Sequence, residues 1–186
     1  MAPLEIAAAI LGVITVFLVV RRSVWNYPFA LAMVALYFVV FFEARLYSDA
    51  ILQIFFFAIN LYGWWAWHHA PHVDHGVKVL VMNRNSRLAW LLGTLAASVG
   101  WGFLMSRFTD AAAPFADAAI AGTSVSAQIL QSLRRIETWV LWIAVDIGAV
   151  GLFWSRDLLV TAALYALFLV MSVAGFIEWK RRLVCH

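Results

Sequence analysis

Seven long apolar runs, separated by short polar and basic stretches, constrain this chain more than any other feature. A bilayer core about 30 Å thick requires roughly 20 apolar residues in a helix. The runs predict seven spans, which are Leu4–Val20, Val24–Phe42, Ala50–Trp67, Leu88–Met105, Ala111–Leu133, Thr138–Trp154 and Leu158–Trp179. We therefore expect an all-α integral membrane protein in which residues 1–186 form a single transmembrane domain.

The composition excludes several classes of protein. Hydrophobic residues make up 65% of the chain and charged residues 12%, whereas soluble domains are roughly half apolar and about a quarter charged. A soluble enzyme or a disordered segment would need more polar surface than this chain has. The 13 Lys and Arg residues stand in short clusters between apolar runs, so we expect membrane lipid around the chain and no nucleic-acid partner.

The fifth run is the least apolar of the seven. It contains Asp117, Thr123, Ser124, Ser126 and Gln128 among many alanines. Small and polar residues of this kind suit a helix that packs against other helices within the membrane. We expect this run to span the membrane as well.

The distribution of Lys and Arg predicts the orientation. Ten of the 13 follow spans 1, 3 and 5 or lie at the C-terminus, and they are Arg21, Arg22, Lys78, Arg84, Arg87, Arg134, Arg135, Lys180, Arg181 and Arg182. The three on the other side are Arg45, Arg107 and Arg156. Because basic residues concentrate on the cytoplasmic side, we expect the N-terminus outside and the C-terminus inside.

An internal repeat is indicated by an offset of 112 residues without gaps. The offset places Arg22 on Arg134, and it places Leu46, Ala50, Leu52, Phe56, Gly63 and Trp67 on Leu158, Ala162, Leu164, Phe168, Gly175 and Trp179. An offset of four spans keeps both halves in one orientation, so it predicts a three-plus-one-plus-three parallel repeat. The halves would be residues 4–67 and 111–179, joined by a connector helix at 88–105. Chance similarity in so apolar a chain is the alternative.

Polar residues inside the spans are the candidate functional groups. Buried carboxyl groups are costly in a membrane and tend to be functional, and Asp146 in span 6 and Asp117 near the outer end of span 5 qualify. At 100° per residue, Trp139, Trp142 and Asp146 lie within about 60° of one another. The same arithmetic gives a polar stripe on span 5, formed by Asp117, Ser124, Gln128 and Gln131. It gives another on span 3, formed by Gln53, Asn60, Trp64 and Trp67.

These stripes also have plainer interpretations. The polar groups could simply hydrogen-bond neighbouring helices, and Asp117 could lie in water at the interface. Tryptophans usually mark the boundary between membrane and water. That interpretation suits Trp25, Trp101, Trp154 and Trp179, and it is an alternative for Trp67, Trp139 and Trp142.

The connection between spans 3 and 4, about 20 residues long, contains four His and one Asp between His68 and His75. We expect a solvated loop next to the membrane and no bound metal, since the spacing is not helical across Pro71 and no Cys is present. A metal site is the alternative. The sequence contains no nucleophile elbow, phosphate loop or other catalytic motif, so we expect neither an enzyme nor a cofactor.

Five stretches of the sequence resemble the PnuC family of vitamin transporters. They are Trp25-Asn-Tyr-Pro-Phe29, Leu46-Tyr-Ser-Asp-Ala-Ile-Leu-Gln53, Tyr62-Gly-Trp-Trp-Ala-Trp67, Glu137-Thr-Trp-Val-Leu-Trp-Ile-Ala-Val-Asp-Ile147 and Gly175-Phe-Ile-Glu-Trp-Lys180. The similarity extends from Leu4 to Arg182 and includes the span count and the basic clusters.

The resemblance implies a fold similar to the SWEET sugar facilitators and facilitated diffusion of nicotinamide riboside across the bacterial inner membrane for NAD biosynthesis. A cytoplasmic kinase would phosphorylate the cargo, and a homotrimer would be compatible with the fold. The resemblance implies a substrate site at Gln53, Asn60, Tyr62, Trp64, Trp67, Trp139, Trp142 and Asp146. The polar stripe on span 5 adds Gln128 to this set.

Other functions stay open at this point. Relatives that carry thiamine or riboflavin are the nearest alternative, because an acid at position 146 bears on which vitamin is carried. A proton-coupled carrier that uses Asp146 or Asp117 is a second, and a membrane-embedded scaffold that binds no ligand is a third. An intramembrane enzyme would need a nucleophile and a base, which the sequence does not pair.

Overall fold

The computed structural model describes residues 3–43, 47–73, 75–108, 114–155, 157 and 159–184. The described residues form seven helices, which are α1 (Pro3–Val20), α2 (Asn26–Glu43), α3 (Tyr47–His68), α4 (Arg84–Phe108), α5 (Pro114–Ser132), α6 (Thr138–Ser155) and α7 (Leu159–Val184). A two-stranded hairpin, β1 (His72–Val73) and β2 (Gly76–Val77), lies between α3 and α4. Several residues used in the sequence predictions lie outside the described residues, namely Arg45, Leu46, Asp74, Ala111, Arg156 and Leu158.

The all-α prediction and the number of helices are confirmed. Six of the helices are long and apolar enough to cross a membrane, and α5 is the exception, so the chain is a multi-pass membrane protein. The physical reason for the exception is the content of α5, whose buried residues include Ser126, Gln128, Gln131 and Ser132. Polar side chains lower its mean hydropathy, and the surrounding helices cover them.

The helices pack as two groups of three with α4 beside one of them. In the first group α1 contacts α2 and α2 contacts α3, and in the second α5 contacts α6 and α6 contacts α7. The groups meet where α1 contacts α7 and where α3 contacts α5. Helix α4 packs on α5.

Two indole hydrogen bonds join these groups. Nε1 of Trp67 on α3 donates to the backbone oxygen of Gln131 on α5, and Nε1 of Trp179 on α7 donates to that of Val19 on α1, both at 3.1 Å. The 112-residue offset maps Trp67 on Trp179 and Val19 on Gln131. The third helix of each group is therefore bonded to the first helix of the other.

The turns that follow α1 and α5 also match at this offset. Arg22 and Arg134 both have positive φ, at 58° and 59°. Each donates its backbone N–H to a carbonyl three residues earlier, at 2.9 Å in both turns. We call the end of the bundle at which these turns lie the basic end, because Lys180 and Arg181 on α7 lie there too.

The main hydrophobic core lies at the basic end, around four fully buried aromatic residues that we call the aromatic layer: Tyr27, Trp67, Trp139 and Trp179. Ring pairs within it meet edge to face, with centroids 5.3 Å apart for Tyr27 and Trp67 and 5.5 Å for Trp139 and Trp179. The boundary interpretation of Trp179 is therefore wrong, because its ring is buried and its N–H is bonded inside the protein. The other three boundary tryptophans are exposed, namely Trp25, Trp101 and Trp154.

The His-rich segment is exposed at its four histidines, as a solvated loop would be, whereas the rest of the connection between α3 and α4 is partly buried. We call residues 76–83 the strap. Val77, Val79 and Met82 of the strap are buried, and both valines belong to the hydrophobic core. Because side chains alternate in an extended chain, Val77 and Val79 point to the bundle while Lys78 between them is exposed. The prediction counted the polar residues of this connection and overlooked that alternation.

Candidate functional site

Two buried amides meet between α3 and α5. Nε2 of Gln128 donates to Oδ1 of Asn60 at 2.9 Å, and Nδ2 of Asn60 donates to the backbone oxygen of Phe56 at 2.8 Å. Both amide side chains belong to buried residues. These hydrogen bonds offset the cost of placing polar groups in an apolar bundle, so two of the sequence-predicted residues form one polar unit.

A second polar unit lies one helical turn nearer the basic end. The indole N–H of Trp142 on α6 donates to Oε1 of Gln131 on α5 at 3.1 Å. Gln131 also accepts the indole N–H of Trp67 at its backbone oxygen. Gln131 thus joins two predicted tryptophans, although the sequence analysis placed it only on the polar stripe of span 5 and not in the site.

Asp146 lies on α6 and is 3% exposed. Its Oδ2 accepts the hydroxyl of Ser172 on α7 at 2.9 Å. Among the described residues, no ion pair reaches this carboxyl group. A buried acid with one neutral donor is suited to binding a cation or a proton, since either would reduce the cost of its burial.

Trp139 forms one wall of the aromatic layer and fills the space above Gly175. A Cβ atom at position 175 would overlap the Trp139 ring. The indole N–H of Trp139 is buried and has no acceptor among the residues that the structure describes. A buried donor without an acceptor is costly, which makes this group a candidate for bonding to a ligand.

Three of the predicted residues lie apart from these units. Tyr62 and Trp64 are 44% and 39% exposed, and among the described residues no hydrogen bond joins them to these units. Gln53 is half-buried near the other end of α3. The stripe on span 3 is therefore divided, with Asn60 and Trp67 facing the bundle.

We call the residues of the two polar units and the aromatic layer, with Asp146 and Ser172, the buried set: Tyr27, Asn60, Trp67, Gln128, Gln131, Trp139, Trp142, Asp146, Ser172 and Trp179. Some of these residues were missed by the sequence analysis. Ser172 was not singled out, and the offset of 112 residues that maps Asn60 on it was the available signal. The same offset maps Tyr27 on Trp139, and both are buried in the aromatic layer. Tyr27 also stands in the Trp25-Asn-Tyr-Pro-Phe29 stretch, so the offset and that stretch were the available signals for it.

Arg134 is a charged group next to the buried set, in the turn between α5 and α6. Burial lowers the pKa of its guanidinium below the ordinary value, and the charge of Arg135 lowers it further. Its Nε is buried without an acceptor in the described part of the chain. Tyr27 acts electrostatically on Arg134, so the guanidinium lies close to the side of the aromatic layer that faces the basic end.

The His-rich connection was the alternative metal site. Within the described residues, which leave out Asp74, no group of three or more metal-ligating side chains comes together. His69 and His72 instead bond backbone oxygens, those of Trp65 and Ala70, both at 2.8 Å.

The buried set combines flat indole faces, amide groups and one acid inside an apolar bundle. Such sites bind small molecules through apolar walls and a few placed polar groups, and indole faces also attract cations. Two cavities of about 300 and 220 Å³ lie elsewhere, one between α4 and α5 and one at the basic end beside Arg22 and Arg182. The candidate residues line neither of them.

Comparisons with known proteins point to one family. The family described as nicotinamide mononucleotide transporter matches residues 2–181. The nicotinamide riboside transporter PnuC of Escherichia coli is 25% identical over 95% of this chain and 84% of its own length. The riboflavin/roseoflavin transporter RibM of Streptomyces davaonensis is 25% identical over 96% of this chain and 84% of its own.

A solved structure agrees with the sequence relatives. The crystal structure of the vitamin B3 transporter PnuC superimposes with a TM-score of 0.79 and 26% identity. The match includes 98% of this chain and 83% of that one. The similarity therefore extends through all seven helices and is not restricted to one motif.

Proposed function

The chain belongs to the PnuC family of vitamin transporters, and from that premise we propose that it takes up nicotinamide riboside by facilitated diffusion for NAD biosynthesis. Membership confirms the family predicted from the sequence motifs and makes the chain a membrane transporter, not an enzyme. The bacterial inner membrane is the proposed location, with the basic end in the cytoplasm.

The observation that carries the proposal is the buried acid Asp146, about one turn along α6 from Trp142, together with the buried amide pair of Asn60 and Gln128. Nicotinamide riboside has a flat pyridinium ring with a fixed positive charge, a ring amide and ribose hydroxyls. Asp146 would balance the charge, Trp139 and Trp142 would stack the ring, and Asn60 and Gln128 would bond its polar groups. Gln53, Tyr62, Trp64 and Trp67 complete the proposed set.

The proposed fold is the three-plus-one-plus-three parallel repeat of the SWEET type. The exchanged hydrogen bonds from Trp67 to Gln131 and from Trp179 to Val19 support it, as do the matching turns at Arg22 and Arg134. The two groups would rock about the buried set to expose it alternately on each side. Helix α5 would span the membrane within its group, and a homotrimer would be compatible with this fold.

The driving force would be the membrane potential. A potential of 100 mV favours entry of one positive charge by about 2.3 kcal/mol, which corresponds to roughly 50-fold accumulation. No coupling ion is then required. A cytoplasmic kinase that phosphorylates the cargo would prevent its return.

The cargo is tested by ligand-induced thermal stabilisation of the detergent-purified protein. Nicotinamide riboside, nicotinamide mononucleotide, nicotinamide, thiamine and riboflavin are compared side by side. We expect stabilisation by nicotinamide riboside and none by nicotinamide, which lacks the charge and the ribose. Stabilisation by thiamine or riboflavin alone would contradict the proposed cargo while keeping the transport function, and no stabilisation by any ligand would favour the scaffold alternative.

The RibM similarity favours one second candidate, a riboflavin transporter. Riboflavin is flat but uncharged, so its uptake would not follow the membrane potential. Proteoliposomes with an imposed potassium diffusion potential separate the two candidates. We expect accumulation of nicotinamide riboside to rise with an inside-negative potential and to be unaffected by a proton gradient at zero potential.

A further inference from the structure

The strap is bonded to both groups of helices. The backbone N–H of Val77 donates to the backbone oxygen of Arg22 at 3.1 Å, and that of Leu80 donates to the oxygen of Arg134 at 2.9 Å. The backbone oxygen of Leu80 in turn accepts the backbone N–H of Ile136 at 3.0 Å. Any movement of one group against the other must therefore stretch or break contacts of the strap.

The strap also seals the aromatic layer at the basic end. Val77 and Val79 are buried against the core that contains Trp67, Trp139 and Trp179. Trp139 lies seven residues from Asp146 along α6, which is about 10 Å at 1.5 Å per residue. The strap and the aromatic layer, which includes the site residues Trp67 and Trp139, thus lie on the basic-end side of Asp146.

The contact with the first group includes a buried charged side chain. The guanidinium of Arg22 is buried, and its Nη1 donates to the backbone oxygens of Val73 and Val77 at 3.3 and 3.4 Å. Gly76 allows this close approach, because a Cβ at that position would lie 2.8 Å from Cβ of Arg22. The hairpin and the strap are therefore anchored on the turn after α1.

The contact with the second group combines the backbone bonds of Leu80, a bond from Nη1 of Arg135 to the backbone oxygen of Val81 at 3.1 Å, and the contacts of Glu137. Oε1 of Glu137 accepts the backbone N–H of Met82 at 3.0 Å and Nε of Arg87 at 2.8 Å. The Arg87 side chain is 53% exposed and that of Glu137 is 14% exposed. Partly exposed ion pairs contribute little to stability, so within this contact the Glu137–Arg87 pair opens more readily than the backbone bonds of Leu80.

Glu137 directly precedes Thr138, the first residue of α6. Helix α6 carries Trp139, Trp142 and Asp146, and Arg87 lies in the first turn of the connector α4. One carboxylate therefore links the strap, the connector and a helix that bears three residues of the candidate site. Its other oxygen, Oε2, is buried without a hydrogen-bond donor among the described residues.

We propose that Glu137 is a positioning residue that latches the strap to α6, and that release of its contacts with Arg87 and Met82 accompanies opening of the basic end. The proposal rests on the transport function and adds the gate to it. The strap stays with the first group and separates from the second when the latch opens. Cargo then passes the aromatic layer at Val79.

The latch is tested by the reactivity of a buried thiol. The native Cys185 is replaced by Ser, and Val79→Cys places a thiol on the buried side of the strap. Glu137→Gln keeps an acceptor for Met82 but removes the ionic contact with Arg87, and Arg87→Gln removes it from the other side. The matched control is Glu178→Gln, because Glu178 pairs with Arg182 on its own helix at 2.9 Å and does not contact the strap in the described bonds.

We expect maleimide labelling of the thiol to accelerate about three- to five-fold in Glu137→Gln and in Arg87→Gln, the effect of losing a partly exposed ion pair. The double variant should label no faster than the faster single variant, because both act through one contact. Nicotinamide riboside should stabilise all variants as it does the parent, since the candidate site is intact. Transport rates in proteoliposomes should change without a change in ligand affinity.

Unchanged labelling in both single variants would overturn the latch, as would equal acceleration in Glu178→Gln. Arg87 is exposed, so Arg87→Gln provides a well-folded variant even where Glu137→Gln lowers expression. A parent protein that no vitamin stabilises would contradict the proposed function alone, because the labelling comparison does not require cargo.

Discussion

The indole N–H of Trp142 lies 3.1 Å from Oε1 of Gln131 and joins α6 to α5 inside the bundle. Gln131 is buried and also accepts the indole N–H of Trp67 at its backbone oxygen. The ring of Trp142 is therefore held in one orientation before any ligand is present. A ring fixed in this way loses little conformational entropy when a flat cargo stacks on it.

Trp142→Ala should weaken binding of nicotinamide riboside without unfolding the protein. Stacking of a base on an aromatic side chain is worth about 1–3 kcal/mol by alanine substitution, so the dissociation constant should rise roughly ten-fold or more. Trp142→Phe keeps a ring and should lose less. Isothermal titration calorimetry measures both, and Trp154→Ala, an exposed tryptophan on the same helix, is the control. Equal affinity in Trp142→Ala and the parent would remove the stacking role.

Gly175→Ala should destabilise the protein, because the added Cβ would overlap the Trp139 ring. Overpacking of this kind costs about 1–3 kcal/mol. Gly63→Ala should behave similarly, since its Cβ would lie 2.6 Å from the Tyr27 ring. Gly151→Ala on α6 meets no atom within 4 Å, and there alanine should be neutral or stabilising. Thermal unfolding in detergent compares the three variants, and a Gly175→Ala protein as stable as Gly151→Ala would contradict the packing of the aromatic layer.

The helices could be predicted from the sequence because each apolar run is long and ends at a basic or polar cluster. The polar interior of α5 could also be predicted, since Gln128 and Gln131 repeat at helical spacing. The orientation of individual tryptophans could not be predicted, because Trp25 and Trp179 both stand at helix ends. Only the packing of α7 against α1 distinguishes the buried ring of Trp179 from the exposed ring of Trp25.

For the candidate site, too, the sequence did not show which of the predicted residues are buried. The stripe on span 3 placed Asn60, Trp64 and Trp67 on one face, yet Trp64 is 39% exposed and Trp67 is buried. A helical wheel gives the angle between residues but not where the neighbouring helices lie. The strap was missed because its burial depends on contacts with Arg22 and Arg134, which are remote in sequence.

Replacing both of the paired amides should cost less than the sum of the two single replacements. Asn60→Leu leaves the buried Nε2 of Gln128 without its acceptor, and an unsatisfied buried polar group costs about 1–3 kcal/mol. Gln128→Leu leaves Oδ1 of Asn60 without its donor. The double variant removes both groups, so its loss of stability should be smaller than the sum of the single losses. Additive losses in the unfolding temperature would show that the 2.9 Å hydrogen bond contributes no coupling.

The Asp146→Asn variant distinguishes between two roles for Asp146, a counter-charge for the cargo and a proton carrier. Asparagine keeps an acceptor for the Ser172 hydroxyl but removes the negative charge. If Asp146 balances the pyridinium charge, the dissociation constant for nicotinamide riboside should rise roughly ten-fold, or about 1.4 kcal/mol, while uptake continues to follow the membrane potential. Stability should be equal or higher, since a buried acid without an ionic partner is removed.

The control for this change is Asp117→Asn, at the opposite end of α5 from Gln131, which should leave affinity unchanged. Calorimetry gives the affinities, and proteoliposomes with separately imposed potential and proton gradients give the driving force. Accumulation driven by a proton gradient at zero potential, abolished in Asp146→Asn, would contradict facilitated diffusion and favour the proton-coupled carrier. Loss of potential-driven accumulation without loss of affinity would instead place Asp146 in the conformational change, because binding of the charge would then not depend on it.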